Sequence, residues 1–335
     1  MPRRGLAGEG GGMPDVIGDL DLIGTARGWG IGDCVLGVVD PDGVRVAGVG
    51  VDPAQHVELG SVSKGLTGLL YEDALERGEV ERTTALGDAL PALAGTAAGA
   101  IPLDALATHR SGLPRLPAGM HPWRRSWDLL RHGRNPYGES LAQVLRQAAR
   151  TGVAGRPKPL YSNLGFALLG HAVAARSGVE YAALLESRLA VPLGADSLHV
   201  PDTRGEIRPG AMVGTTGRGR SREPWVGEGI GPAGGVRATI TDAARLVQAL
   251  LDGDAPGLSA LRPRADFVGA YRIGSVWVTS SPGGGERRIT WHNGGTGGFR
   301  SFVGLDREAG RGIVVVSPRS VAPDRRATEW LLGRS

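Results

Sequence analysis

Both ends of this 335-residue chain read as strands, and its middle does not. Near the start, the apolar runs Cys34–Val39 and Val44–Val51 flank Asp40-Pro41-Asp42-Gly43, which predicts a β-hairpin around a Pro-Asp-Gly turn. Past Gly235, the stretches Tyr271–Thr279, Arg288–His292, Arg300–Leu305 and Gly312–Ser317 read as strands between glycine-rich turns. Between these regions, helical patterns at Leu141–Arg150, Leu164–Arg176 and Tyr181–Leu189 alternate with loops rich in Pro, Gly and Arg. Further helices are predicted over Asp15–Arg27, Ser61–Arg77 (one buried face), Thr241–Leu251 and Pro323–Leu332. The economical arrangement is an α/β (α+β) chain whose sheet is built from both ends. It comprises a flexible, Gly-rich N-terminus (1–13), a sheet domain from 14–82 with 230–335, and a mostly helical insertion over 83–229. The loops Arg115–Gly138 and Pro201–Gly229 are long for a compact domain, and such loops tend to carry function.

Composition narrows the function classes. With 41% apolar and 21% charged residues the chain can bury a large core. No apolar run approaches the ~20 residues of a membrane span. The N-terminal arginines are not followed by the apolar stretch of a secretion signal. The single cysteine, Cys34, excludes an internal disulfide and fits a reducing compartment, so a cytoplasmic location is expected, with no membrane partner. The net charge of +4 comes from arginines spread along the chain with no basic run, which suits a solvated surface better than a nucleic-acid site. No metal site or cofactor is expected. Only two of the 38 basic residues are lysines, Lys64 and Lys158. In a chain that meets almost every need for positive charge with Arg, a lysine invites the question whether its position needs a group that can lose a proton.

Three short motifs carry chemistry. In Glu58-Leu59-Gly60-Ser61-Val62-Ser63-Lys64, Ser61 and Lys64 share one face of a helical turn. A hydroxyl becomes a nucleophile when a neighbour takes its proton, and a neutral lysine amine can do that. The same spacing also suits an N-capping serine beside a surface lysine. Tyr161-Ser162-Asn163 stands at the entrance of the next long helix. There a phenol whose pKa is depressed by a cation can shuttle a proton and Asn163 can donate to a carbonyl; a core tyrosine with Asn163 as helix cap is the alternative. Trp291-His292-Asn293-Gly294-Gly295 ends a strand in His followed by glycines. This pattern brings backbone N–H groups close to a ligand, although a turn with a solvent-facing histidine reads the same way.

Together the motifs resemble the serine β-lactamase and penicillin-binding superfamily, and more closely its class C β-lactamase-related branch, which includes DD-peptidases, esterases and transacylases. The resemblance runs from about Asp15 to Leu332 and includes Thr108–Pro114, Tyr161–Gly170 and Pro232–Thr239. It implies an antiparallel sheet flanked by helices, joined to a mostly helical domain, with the site in the cleft. It further implies Ser61 as the acylated nucleophile, Lys64 as its proton partner, Tyr161 as general base and acid, and Asn163 as donor to the substrate carbonyl. His292 stands where β-lactamases of this branch carry the Lys of Lys-Thr-Gly, Asn293 and Gly294 continue that triad, and the N–H groups of Ser61 and Gly295 form the oxyanion hole. A neutral imidazole holds a β-lactam carboxylate less well than lysine does. The reading is therefore an acyl-enzyme hydrolase of a small ester or amide, with transfer to an amine acceptor as the alternative. D-amino-acid peptidase, β-lactamase and a β-lactam-acylated sensor rank lower. Trp123 and Trp127, in the loop after Arg115, are expected to form a lid that contacts substrate, or else to anchor a surface loop.

Overall fold

The computed structural model describes residues 16–117, 127, 129, 131–155 and 158–334. Strands from both ends of the chain meet in one antiparallel sheet. Its spatial order is β1 (Val16–Gly18), β3 (Gly43–Val49), β2 (Cys34–Asp40), β11 (Arg311–Ser317), β10 (Arg300–Asp306), β9 (Ile289–Gly295), β8 (Val278–Ser280), β7 (Arg272–Ile273) and β6 (Ala265–Asp266). β2 and β3 form the predicted hairpin, with Asp40 opposite Gly43. β11 pairs with β2, Val314 lying opposite Gly37, and this seam joins the two ends of the chain. β2 and β11 are buried on both faces, which is why their sequences are continuously apolar rather than alternating.

Helices cover both faces. α1 (Leu20–Gly28) and α9 (Asp324–Leu331) pack Leu22, Ile23 and Trp330 against Leu36, Phe302 and Ile313. The expected helix over Asp15–Arg27 starts late, because its first residues form β1 and Asp19 caps α1 by accepting from the Leu22 N–H at 2.8 Å. On the opposite face lies α8 (Ile240–Asp252). It approaches β2 closely at Gly37, where a Cβ would stand 2.7 Å from the Ala244 Cβ. Beyond it come α2 (Ser63–Glu76) and the helices of the middle region: α3 (Leu86–Ala89), α4 (Leu103–Ala107), α5 (Leu141–Ala149), α6 (Asn163–Arg176) and α7 (Tyr181–Leu185). The buried cluster on this face runs without a break from Val35 through Leu66 to Leu168 and Leu184. Among the described residues no helix is long and apolar enough to cross a membrane.

Two elements depart from the sequence pattern, each for a tertiary reason. The predicted strand Tyr271–Thr279 breaks into β7 and β8. Between them, the N–H groups of Ser275 and Val276 turn inward to the carbonyls of Ala260 and Ala107, and Val276 adopts a φ of 66°. α2 does not have one buried face; every residue from Ser63 to Ala74 is buried. Its close neighbours need small residues: at Gly65 a Cβ would lie 2.8 Å from the Trp277 ring, and the Trp277 indole donates to the Gly65 carbonyl at 3.2 Å.

A short ladder, β4 (Val57–Glu58) with β5 (Arg237–Ala238), fixes the chain just before Ser61. Within it Arg237 donates to Glu58 Oε1 at 2.9 Å, and both side chains are buried. The same carboxylate accepts the Trp225 N–H at 3.1 Å, which ties the 201–229 loop to the ladder. Removing one partner of a buried ion pair leaves an uncompensated charge, which costs about 3–5 kcal/mol. Arg237→Met is expected to lower the unfolding free energy read from denaturant melts by an amount in that range at neutral pH; a loss below about 1 kcal/mol would show that the pair is dispensable.

Candidate active site

Ser61 lies in a 3₁₀ turn, Gly60–Val62, that leads into α2. It does not cap the helix: the N-cap position is Val62, and no side chain bonds there. Gly60 has φ +52°, and a Cβ on it would stand 2.8 Å from the Gly295 nitrogen, so only glycine lets β9 come this close. Lys64 is not a surface lysine. It is 0% exposed, its Nζ lies 3.0 Å from Ser61 Oγ, and it donates to the Ala233 carbonyl at 2.5 Å. Burial, reinforced by the Arg115 guanidinium, holds Lys64 well below the usual amine range. A neutral amine that donates to Ala233 keeps a lone pair able to take the Ser61 proton. Ser63, the neighbouring hydroxyl, is engaged elsewhere, accepting the Val236 N–H at 3.0 Å.

The Tyr161 phenol stands beside Ser61, and the Lys64 Nζ lies 4.9 Å from the centre of its ring. Ser61 and Tyr161 are the partly exposed members of this group, so the site opens to solvent at these two residues. The cation effect expected at Tyr161 is outweighed. Burial pushes its phenol up to about 12, although the Ser61 bond and Arg115 pull it down, so it rests as a neutral phenol. The cap of α6 is Ser162, whose Oγ accepts from Gly165 N at 2.9 Å and donates to the Pro114 carbonyl at 2.7 Å. Asn163 is therefore not the cap. Its amide donates to Tyr137 Oη at 3.1 Å, and its buried Oδ1 has no partner.

His292 is buried on the face of β9 that looks towards α2. Its Nδ1 lies 2.7 Å from the Asn293 carbonyl, which can only accept, so Nδ1 carries the proton and Nε2 the lone pair. Burial and the nearby Lys64 push His292 down to about 3, leaving a neutral imidazole. Gly294 presses on the turn that carries Ser61: a Cβ there would meet the Ser61 nitrogen at 2.9 Å. The backbone of Gly295 abuts Gly60, so the two N–H groups expected to form an oxyanion hole come from adjacent segments. Asn293 departs from expectation. One residue along a strand turns a side chain to the other face, and Asn293 donates to Asp324 Oδ1 of α9 at 2.5 Å. Its side chain is spent there and does not face the substrate cleft.

Trp123 lies outside the described residues. Trp127 is exposed and stacks with Arg131, whose guanidinium is 5.8 Å from the ring centre. Leu129, from the same loop, comes closer to the site: with Trp225 it covers Gly297, where a Cβ would meet Leu129 at 3.0 Å and the Trp225 indole nitrogen at 3.5 Å. Sequence reasoning missed several neighbours. His109 is buried against Tyr161 with ring centres 4.6 Å apart, and it accepts the Ser162 N–H at 3.3 Å. Burial, with Lys64 and His292 nearby, holds it well below its usual range. Its position in Thr108–Pro114 and its φ of 56° are the signals that mark it. Tyr137 packs edge-on against Trp225 at 4.7 Å. Among the described residues no three His, Cys, Asp or Glu side chains are grouped to hold a metal.

A family model described as Beta-lactamase matches residues 26–334. The chain belongs to the beta-lactamase family. Membership makes it a beta-lactamase-family serine hydrolase. It is 29% identical over 287 residues to the D-alanyl-D-alanine-carboxypeptidase/endopeptidase AmpH of Escherichia coli K12, covering 79% of this chain and 71% of that one. It is 28% identical over 285 residues to penicillin-binding protein 4 of Amycolatopsis lactamdurans, covering 77% and 71%. Among solved structures, the beta-lactamase/D-alanine carboxypeptidase of Pseudomonas syringae superposes with a TM-score of 0.78 at 18% identity, over 94% of this chain and 98% of that one. The class C beta-lactamase of Rhodobacter sphaeroides gives 0.74 at 20%, over 93% and 97%. These likenesses show the fold: the antiparallel sheet flanked by helices is that of the class C beta-lactamases.

The electrostatics set the pH response. An amine accepts a proton only while neutral, so an activity that uses Lys64 as its base is expected to fall as pH drops through the Lys64 pKa. Arg115 lowers that pKa, and Arg115→Gln is expected to move the acid limb of kcat/KM for a neutral ester to higher pH. A limb that stays in place in the pH–rate profile would show that the guanidinium's field does not reach Lys64.

Proposed function

We propose that this chain hydrolyses a small carboxylic ester or amide through an acyl intermediate on Ser61. The observation that carries the reading is the 3.0 Å approach of Ser61 Oγ to a buried Lys64 kept neutral by its surroundings. In the first step Ser61 Oγ bonds to the substrate carbonyl carbon and its proton passes to Lys64. The developing oxyanion is met by the N–H groups of Ser61 and Gly295. The carbon–heteroatom bond then breaks, and the departing atom takes a proton by way of the Tyr161 hydroxyl. Water adds in the second half: its oxygen bonds the acyl carbon, its proton returns through the same groups, and Ser61 is released. Neutral Tyr161 suits a relay, which gives one proton as it takes another, better than it suits a standing phenolate.

Acyl transfer to an amine is the second reading. Leu129 and Trp225 crowd the end of β9 over Gly297, and narrowing a site excludes the water that competes with an amine. The relatives named as D-alanyl-D-alanine carboxypeptidase and beta-lactamase bring peptide and lactam substrates into consideration. Neutral His292 makes a weak anchor for their carboxylate on β9, so both rank below a simple ester or amide. A sensor that stops after one acylation is disfavoured by the presence of both Lys64 and Tyr161 beside the nucleophile. The buried, lone Cys34 accords with the proposed cytoplasmic location.

Ser61→Ala is expected to abolish the covalent adduct that an activated ester leaves on the intact protein mass; an adduct that persists would exclude Ser61 as the nucleophile. Lys64→Arg, which keeps the charge but cannot deprotonate, is expected to slow acylation by ~10²–10⁴-fold. Near-normal rates would reduce Lys64 to an electrostatic partner. With primary amines titrated at fixed ester, amide product is expected to compete with free acid. Partitioning that never leaves free acid would remove the transfer reading and keep the hydrolase.

A further inference from the structure

We propose that His109 is the positioning residue of Tyr161: its imidazole fixes the phenol beside Ser61, and with it the delivery of the proton that the departing atom takes. The inference rests on the acyl-enzyme reading above and adds to it a residue that acts through Tyr161.

His109 grips the tyrosine's segment with both its backbone and its side chain. Its carbonyl accepts the Leu160 N–H at 2.8 Å, and its Nδ1 accepts the Ser162 N–H at 3.3 Å. Ser162 is extended, with φ −126° and ψ 114°, and in extended chain the N–H groups of alternate residues leave by the same edge. Both donors of that edge therefore end on one residue, and the side chain between them, Tyr161, has its direction set by the grip. The imidazole also meets the Tyr161 ring itself, centre to centre at 4.6 Å and tilted by 42°. Phe166 and Phe267 pack on the imidazole at 4.8 and 6.1 Å and hold it in place.

Two features of His109 show what the position needs. Its φ is 56°, a left-handed backbone that costs most residues energy, although His and Asn adopt it more readily than others. Because Nδ1 accepts from a backbone N–H, the ring proton sits on Nε2, which is buried and has no partner among the described residues. A buried donor without a partner costs stability, and an apolar side chain of similar size would avoid that cost. What an apolar side chain lacks is the lone pair that receives Ser162. Burial, with Lys64 and His292 nearby, holds the imidazole well below its usual range, so that lone pair stays free of a proton. The relay needs such placement. Tyr161 stands beside Ser61 with the Lys64 Nζ 4.9 Å from its ring centre, and a shift of about 1 Å in a reacting group can cost ~10²-fold in rate.

The test uses two acetyl esters whose departing atoms need a proton to different degrees. 4-Nitrophenolate leaves without one, whereas the alkoxide of benzyl alcohol must take one, so only benzyl acetate depends strongly on Tyr161. His109→Leu, which has no lone pair, is expected to lower kcat/KM by about 10²-fold for benzyl acetate and by less than about threefold for 4-nitrophenyl acetate. His109→Asn, which sets an oxygen near the place of Nδ1 and suits the left-handed backbone, is expected to recover most of that loss. In the wild-type chain, long-range proton–nitrogen NMR spectra are expected to show the His109 proton on Nε2 and none on Nδ1, the signal being assigned by its absence from His109→Asn. That readout depends neither on activity nor on whether His109→Leu folds. Equal losses on both esters, an Asn variant no better than Leu, or a proton on Nδ1 would overturn the proposal while leaving the hydrolase standing. Failure of the wild type to turn over either ester would overturn the hydrolase reading and this one with it.

Discussion

The structure depends on a helix that has no solvent side. α2 is enclosed by the Gly231–Gly235 turn, the Leu258–Leu261 turn and α6, and every side chain from Ser63 to Ala74 is out of water. That enclosure sets the chemistry of Lys64. An ammonium placed there loses hydration that one serine hydroxyl and one backbone carbonyl cannot replace, so the amine is the stable form. Glycines make the enclosure possible: Gly65 admits the Trp277 ring, and Gly60 admits the backbone of β9.

Much of this was legible in the chain itself. Apolar runs around a turn at one end and helical spacing further along located the hairpin and α5, α6 and α8 to within a residue or two. The rarity of lysine singled out Lys64. What was not legible depends on tertiary contacts. No local pattern shows that α2 is covered on its polar side, because Ser63, Lys64 and Thr67 look like a solvent face until the carbonyls of Pro232 and Ala233 are seen to receive two of them. The inward turn that splits β7 from β8 depends on carbonyls more than a dozen residues away. Asn293 continues the His292 motif in sequence, whereas the strand's alternation assigns its side chain to the other face, beside Asp324. The direction of the Tyr161 shift turned on how much protein surrounds the ring, which a sequence does not display.

The basic groups at the centre of the site share one charge state. Lys64, His109 and His292 lie close enough that a proton on one raises the cost of a proton on the others, and burial adds to that cost. The resting centre is uncharged, and the positive charge that Lys64 and Tyr161 both feel stands outside it, on exposed Arg115. A neutral interior can pass a proton among lysine, serine and tyrosine without a large reorganisation of its surroundings.

The seam between β2 and β11 has a consequence for how the protein comes into being. The turn bearing Ser61 is made early during synthesis, whereas the carbonyl that receives Lys64, the indole against Gly65 and the backbone at Gly295 are all made late. Until those segments leave the ribosome, α2 has water on the sides they will cover, and Lys64 is an ordinary ammonium. A nascent or truncated chain thus carries the whole nucleophile motif yet lacks the environment that arms it.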